Sequence, residues 1–215
     1  MRRNRFLLQG VLVLAALGLS AVVLPAPAQA SSGPSGPWYM WDFGNQDTSQ
    51  NSDAKCIDVP HGNAVNNVQV QTYQCNGGAN QRWSQWDNTK LEIVDPKDPK
   101  HQKIILSEAF WFQNANNECL TVQNNGTANS NPVILYNCAS NQPYNFNAQW
   151  ATVPVPDKQD WWESGKDYYW IVNVNSGKCL TVQNPAGHNG AGWLIQYDCN
   201  EGSNEIWTWD SISPA

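Results

Sequence analysis

The stretch KCIDVPHGNAVNNVQVQTYQCNGGANQRW, Lys55 to Trp83, places an acidic residue, Asp58, two positions after Cys56. Gln71, Tyr73 and Cys75 follow, then Asn80, Gln81 and Trp83. A carboxylate in such company either does chemistry or holds a loop. The chain offers little support for catalysis. Its three histidines, His61, His101 and His188, show no metal-ligand spacing. No serine nucleophile elbow is present. Glycoside hydrolysis needs two facing carboxylates. Asp160, Glu163 and Asp167 lie in one segment, and nothing in the sequence sets a partner opposite them. A non-enzyme without metal or cofactor is expected, and Asp58 is left with binding or structure.

The elements that must position Asp58 are written three times. Cys56 and Cys75 are 19 residues apart, Cys119 and Cys138 are 19 apart, and Cys179 and Cys199 are 20 apart. Six cysteines allow fifteen pairings, and counting alone does not choose among them. The flanking residues choose. KCIDV, ECLTVQN and KCLTVQN surround the first cysteines. VQTYQC, VILYNC and LIQYDC precede the second ones, each with a tyrosine two places upstream: Tyr73, Tyr136 and Tyr197. NQRWSQW, NQPYNFN and NEIWTWD come after them. Each pair therefore recurs at one place in a repeated unit, which predicts Cys56–Cys75, Cys119–Cys138 and Cys179–Cys199. No thiol then remains as a nucleophile.

Each unit reads as strand. NVQVQTYQC and YWIVNVN alternate or are β-rich, and Gly/Asn/Pro clusters separate such runs. No window of ten residues beyond residue 30 has a helical period. A stacked array of three β units would leave open edges. Closing them around an axis buries the apolar faces and covers most edges.

Three repeats with paired cysteines and a Gln-x-Trp signature resemble the ricin-type (ricin B-like) β-trefoil lectin family. The resemblance covers about Trp38 to Trp209 and is carried by YWIVNVNSGKCL and NQRW. It implies an all-β fold over residues 38–213: a β-trefoil of repeats near 38–88, 103–150 and 167–210, with one disulfide each. The repeats are longer than is usual in the family. The surplus lies in DNTKLEIVDPKDPKHQKIILSEAF and ATVPVPDKQDWWESGKDYY, which are expected to enlarge the connecting hairpins.

The resemblance also implies a shallow sugar pocket per repeat. In repeat one its positions hold Asp58, Gln71, Tyr73 and Asn80. The carboxylate would accept hydroxyl protons, Gln71 and Asn80 would complete a polar ring, and Tyr73 would stack on the sugar's C–H face. His61 is a further candidate contact. Repeat two holds Thr121, Ile134, Tyr136 and Asn141 at these places, and repeat three holds Thr181, Ile195, Tyr197 and Asn204. Both lack the acid and the glutamine, which favours ligand binding for Asp58 over a purely structural role. Gln81, Trp83 and Trp207 belong to the repeated motif and read as core, with Tyr144 at that place in repeat two.

Arg2, Arg3 and Arg5 followed by the apolar run Phe6–Leu24 and by Ala28-Gln29-Ala30 predict a secretory signal peptide over residues 1–30. A Ser/Gly/Pro leader, residues 31–37, comes next. Paired cysteines suit an oxidising, extracellular setting. The net charge of −6 argues against nucleic acid or an anionic membrane as partner. The expected partner is carbohydrate, held mainly at the first repeat. The alternative is a protein-interaction trefoil that docks a partner through its Trp-rich spacers, Trp161 and Trp162 first.

Overall fold

A computed structural model describes residues 35–42, 55–97, 103–138, 146–155, 168–183, 192–200 and 202–211. The expected signal peptide, Asn141, Tyr144, Trp161, Trp162, His101 and His188 lie outside the described residues. Strands fall in three groups of four. The first holds β1 (Ser35–Asp42), β2 (Lys55–Asp58), β3 (Gln71–Gln74) and β4 (Trp83–Val94). The second holds β5 (Ile104–Asn114), β6 (Glu118–Val122), β7 (Val133–Asn137) and β8 (Trp150–Pro154). The third holds β9 (Tyr169–Asn173), β10 (Cys179–Gln183), β11 (Gly192–Tyr197) and β12 (Trp207–Ser211). Among the described residues the helical segments are single 3-10 turns, as the absence of helical period predicts.

The first and last strands of each group pair in a closed ring: β1 with β4, β4 with β5, β5 with β8, β8 with β9, β9 with β12 and β12 with β1. The middle strands form the hairpins β2–β3, β6–β7 and β10–β11. These hairpins touch each other through β3–β11 and through the bridges Gln69↔Ile134 and Pro132↔Ile195. Six barrel strands capped by three hairpins make a β-trefoil. Each hairpin carries one disulfide, Cys56–Cys75, Cys119–Cys138 or Cys179–Cys199. Closing a loop of about 20 residues stabilises by roughly 3 kcal/mol in the chain-entropy model.

The main core repeats with the fold. Three trios of equivalent positions meet in it: Ile57, Leu120 and Leu180; Val59, Val122 and Val182; and Val70, Val133 and Leu194. Trp83, Trp150 and Trp207 are fully buried and donate their ring N–H to the carbonyls of Ile57, Leu120 and Leu180. This corrects the sequence alignment of repeat two. Trp150, not Tyr144, takes the place of Trp83. The segment between Cys138 and Trp150 is longer than its counterparts, and Gln142-Pro143-Tyr144 imitates the motif ahead of the true one. Trp150→Phe keeps an aromatic ring and deletes the donor. It should lower stability by about 1 kcal/mol or more, and Trp83→Phe should do the same. An unchanged denaturation midpoint for Trp150→Phe would overturn this register.

The surplus segments build a second core. Along β4 and β5 the pairing runs from Trp83↔Asn114 out to Val94↔Ile104. Ile93 and Ala109 pack with Ala151, Val153, Val155, Tyr168 and Trp170 of the neighbouring hairpin, and Ile206 joins them. Asp95 and Lys103 close the end of the long hairpin with a backbone hydrogen bond and a 2.8 Å ion pair. Burial alone would raise the Asp95 carboxyl, but its bonds and charges from Lys103 and Lys97 hold it below the ordinary range.

Candidate functional site

Asp58 ends β2, and Gln71 stands directly opposite it on β3. Opposed residues of an antiparallel pair project to one face, and Gln71 Nε2 donates to Asp58 Oδ1 at 2.8 Å. The 3-10 turn Ala79–Gln81 delivers the rest. Asn80 Nδ2 donates to Asp58 Oδ2 at 2.6 Å, and Gln81 Nε2 to the same oxygen at 3.0 Å. The turn is held in place by Val59 N donating to the Asn80 carbonyl and by Asn80 Nδ2 reaching the Val59 carbonyl at 3.3 Å. Three of the four residues read from the sequence therefore meet in one network. The fourth, Tyr73, lies two residues along β3 from Gln71, hence on the same face, and is 46 % exposed.

Gln81 does more than its sequence reading as a core residue. It is fully buried, its Nε2 also donates to the Gln74 carbonyl, and its Oε1 accepts from Asn76 N at 2.9 Å. One amide thus ties the loop after Cys75 and holds the carboxylate. It is a positioning residue. The signal lay within the chain: the unit with Asp58 has Gln81, and the unit with Thr181 has Glu205.

Asp58 itself is only 2 % exposed. A carboxylate has about four acceptor positions. Oδ2 takes two amide donors and Oδ1 takes one, so the open position is on Oδ1. Burial raises the carboxyl above its ordinary range, while the bonds from Gln71 and Gln81 and the positive charge of His61 pull it back in part. His61 is exposed and sits in the 3-10 turn Pro60–Gly62 with φ 56°. Asn124 occupies the equivalent place in repeat two with φ 57°, so the left-handed backbone belongs to the fold. A cavity of about 220 Å³ adjoins the ring at Val59 and Asn80 and is lined by Gly62, Ala64, Ala79 and Asn114 among others. Asp58, Gln71 and Tyr73 are outside its lining; Tyr73 is exposed, Gln71 half-buried and Asp58 buried.

The trefoil, the hairpin disulfides and this ring can be set beside known proteins. A model of ricin-type beta-trefoil lectin domain-like sequences matches residues 37–136, 100–192 and 146–214. The chain belongs to this ricin-type β-trefoil lectin family. A search of curated proteins found no match. Among solved structures, the designed three-fold symmetric protein ThreeFoil is 24 % identical with a TM-score of 0.56, over 81 % of this chain and 99 % of that one. The exo-beta-1,3-galactanase 1,3Gal43A from Clostridium thermocellum is 19 % identical with a TM-score of 0.59, over 84 % of this chain and 31 % of that one. Polyporus squamosus lectin, solved with a human-type influenza-binding epitope, is 11 % identical with a TM-score of 0.54, over 84 % of this chain and 50 % of that one. These likenesses concern the fold.

The other two repeats of this ricin-type trefoil lack the network. Thr121 and Thr181 turn their hydroxyls back to the carbonyls of Cys119 and Cys179, both at 3.0 Å. In repeat two the 3-10 turn is Phe146–Ala148, so Asn147 replaces Asn80 and donates to the Val122 carbonyl at 3.0 Å. Ala148 stands where Gln81 would be. Asn141 is therefore not the counterpart of Asn80. In repeat three Asn204 donates to the Val182 carbonyl at 2.9 Å. Glu205 fills Gln81's place, fully buried, accepting from Asn200 N and Gly202 N. Its other oxygen is 3.5 Å from the Thr181 hydroxyl. A hollow of about 270 Å³, lined by Thr181, Ile195, Tyr197 and Asn204 among others, lies where repeat one holds its ring.

Proposed function

We propose that this chain is a secreted, non-catalytic carbohydrate-binding protein that holds a neutral sugar at the first repeat. The observation that carries the reading is the carboxylate of Asp58, aligned by Gln71, Asn80 and Gln81 beside the exposed ring of Tyr73. Oδ1 accepts a sugar hydroxyl, the free capacity of Gln71 and Asn80 meets its neighbours, and Tyr73 covers the C–H face. His61, exposed in the turn that follows Asp58, is a further candidate contact for an outer hydroxyl. Family membership and sugar-binding proteins of the same fold support this, and three disulfides with an N-terminal signal-like segment support secretion.

A glycan array and polysaccharide pull-downs test the proposal, with Asp58→Asn as control. Retention on glycans that the variant loses supports it. Retention on no glycan, with capture by a protein partner, supports the alternative of a docking trefoil. Ile104 and Leu106, exposed at 53 % and 71 % on the long β4–β5 hairpin, favour that second reading.

Ligand and fold respond to acid in opposite senses at Asp58. Its folded pKa is raised, so the folded chain holds the proton more tightly than the unfolded one. Its contribution to stability is therefore fully present below the unfolded value and lost as pH rises through the folded one. Binding needs the ionised acceptor, so affinity should rise with pH across that window. Titrations between about pH 3 and pH 7 should show this slope for the wild type and a flatter profile for Asp58→Asn. Equal slopes would remove Asp58 from the binding step.

A further inference from the structure

The face that carries the ring does not end at repeat one. Gln71 is opposed on its other side by Trp193 of β11. Asp58, Gln71 and Trp193 therefore form a row across three strands, about 10 Å from end to end at the usual strand spacing. Trp193 is 45 % exposed. Gln71 thus has an open aromatic ring on either side, Tyr73 along its own strand and Trp193 across the junction. Gln183, also exposed, opposes Trp193 on β10 and offers an amide beyond it.

Several contacts fix this register. Leu194 N donates to the Val70 carbonyl at 2.9 Å, and Gln69 Nε2 to the Leu194 carbonyl at 3.1 Å. Gly192 permits the close approach of β11: an added Cβ would fall 2.3 Å from Val182 Cγ1 and 3.1 Å from Thr72 Oγ1. The pseudo-symmetry then supplies a comparison. The pair Gln71↔Trp193 recurs as Ile134↔Gln69 and Ile195↔Pro132. The one repeat with a complete polar ring is the one whose neighbour presents an aromatic. Packing does not require it, since an amide and a proline serve the same junction elsewhere and Trp193 stands nearly half in solvent.

We propose that Trp193 is a second stacking platform, and that the first-repeat site takes two consecutive units of a neutral oligosaccharide. One unit lies over Tyr73 and Asp58. The next crosses Gln71 and stacks on Trp193, with Gln183 in reach of its hydroxyls. The repeat-three strand is then part of the repeat-one site. This rests on the sugar-binding reading above.

Galactose, mannose and xylose, each beside its own tetrasaccharide, are titrated calorimetrically into the full chain, Trp193→Ala, Trp193→Tyr and Asp58→Asn. For the sugar that binds, the wild type should prefer the tetrasaccharide. Trp193→Ala should weaken the tetrasaccharide about tenfold and leave the monosaccharide within about twofold. Trp193→Tyr should recover most of the loss, and the thermal midpoint should stay in place. Tetrasaccharide affinity unmoved by Trp193→Ala, with both ligands lost in Asp58→Asn, refutes the platform and leaves the site standing. Equal losses of both ligands in Trp193→Ala refute a separate second unit. Binding unchanged in Asp58→Asn, or no binding by the wild type, refutes the sugar site and the platform with it.

Discussion

Thr181→Asp, Ile195→Gln and Glu205→Gln together should give the protein a second sugar site and raise its avidity for a glycan-coated surface by about 10²–10⁴. Repeat three already has Tyr197 and Asn204 in place of Tyr73 and Asn80, and a hollow between them. It lacks the acceptor and the amides that align it. Thr181 and Ile195 oppose each other on β10 and β11, as Asp58 and Gln71 do on β2 and β3. The third change is required by charge. Glu205 is buried with an oxygen 3.5 Å from the Thr181 hydroxyl, so the carboxylate introduced by Thr181→Asp would face a second one. Glu205→Gln keeps an oxygen for Asn200 N and Gly202 N and turns an amide toward the new acid. The double change without Glu205→Gln should therefore be the less stable protein. Titration with a soluble sugar should give two sites per triple variant where the wild type gives one. A wild-type stoichiometry near three would show that the existing threonine pockets already bind.

Asp58→Asn should lower sugar affinity roughly 10- to 150-fold and barely move the thermal midpoint. A hydrogen bond to a charged acceptor is worth about 1.5–3 kcal/mol, which converts to that range. The fold tolerates the change because the substituted side chain can keep one oxygen for Asn80 and Gln81, while its amide donates to a reoriented Gln71. What is lost is the charged acceptor at Oδ1. Asp58→Ala is the contrasting variant. It strips three amides of their common partner, and Gln81 is fully buried. A donor left short of a partner costs about 1–3 kcal/mol, so stability should fall there as well as affinity. If Asp58→Asn unfolds the protein as readily as Asp58→Ala, Asp58 is a structural residue and the binding assignment fails.

Repetition made much of this legible without coordinates. Three cysteine pairs, three tyrosines and three strand-like runs recur in step, and one closed arrangement buries all their apolar faces. The disulfides follow from that periodicity, because a local pattern repeated three times is a long-range constraint, and the trefoil followed from the family resemblance that the repeated motifs carry. Asp58, Gln71, Tyr73 and Asn80 were named as candidates by the family resemblance, position by position, and three of them could be found to meet because a short hairpin pairs residues close in the chain.

Tertiary structure decided whatever depends on contacts between units or on an irregular loop length. Trp150 displaced Tyr144 because a buried ring must reach the Leu120 carbonyl, and a lengthened loop can supply it from further along. The surplus hairpins proved to be a second core, since Ile93, Val153 and Trp170 meet only when separate hairpins pack. Gln81 became a holder of Asp58 because one buried amide can satisfy a loop and a carboxylate at once. Trp193 came beside Gln71 by pairing between strands of different repeats. Its place there is set by the register of the closed cap, and no spacing along the chain records it.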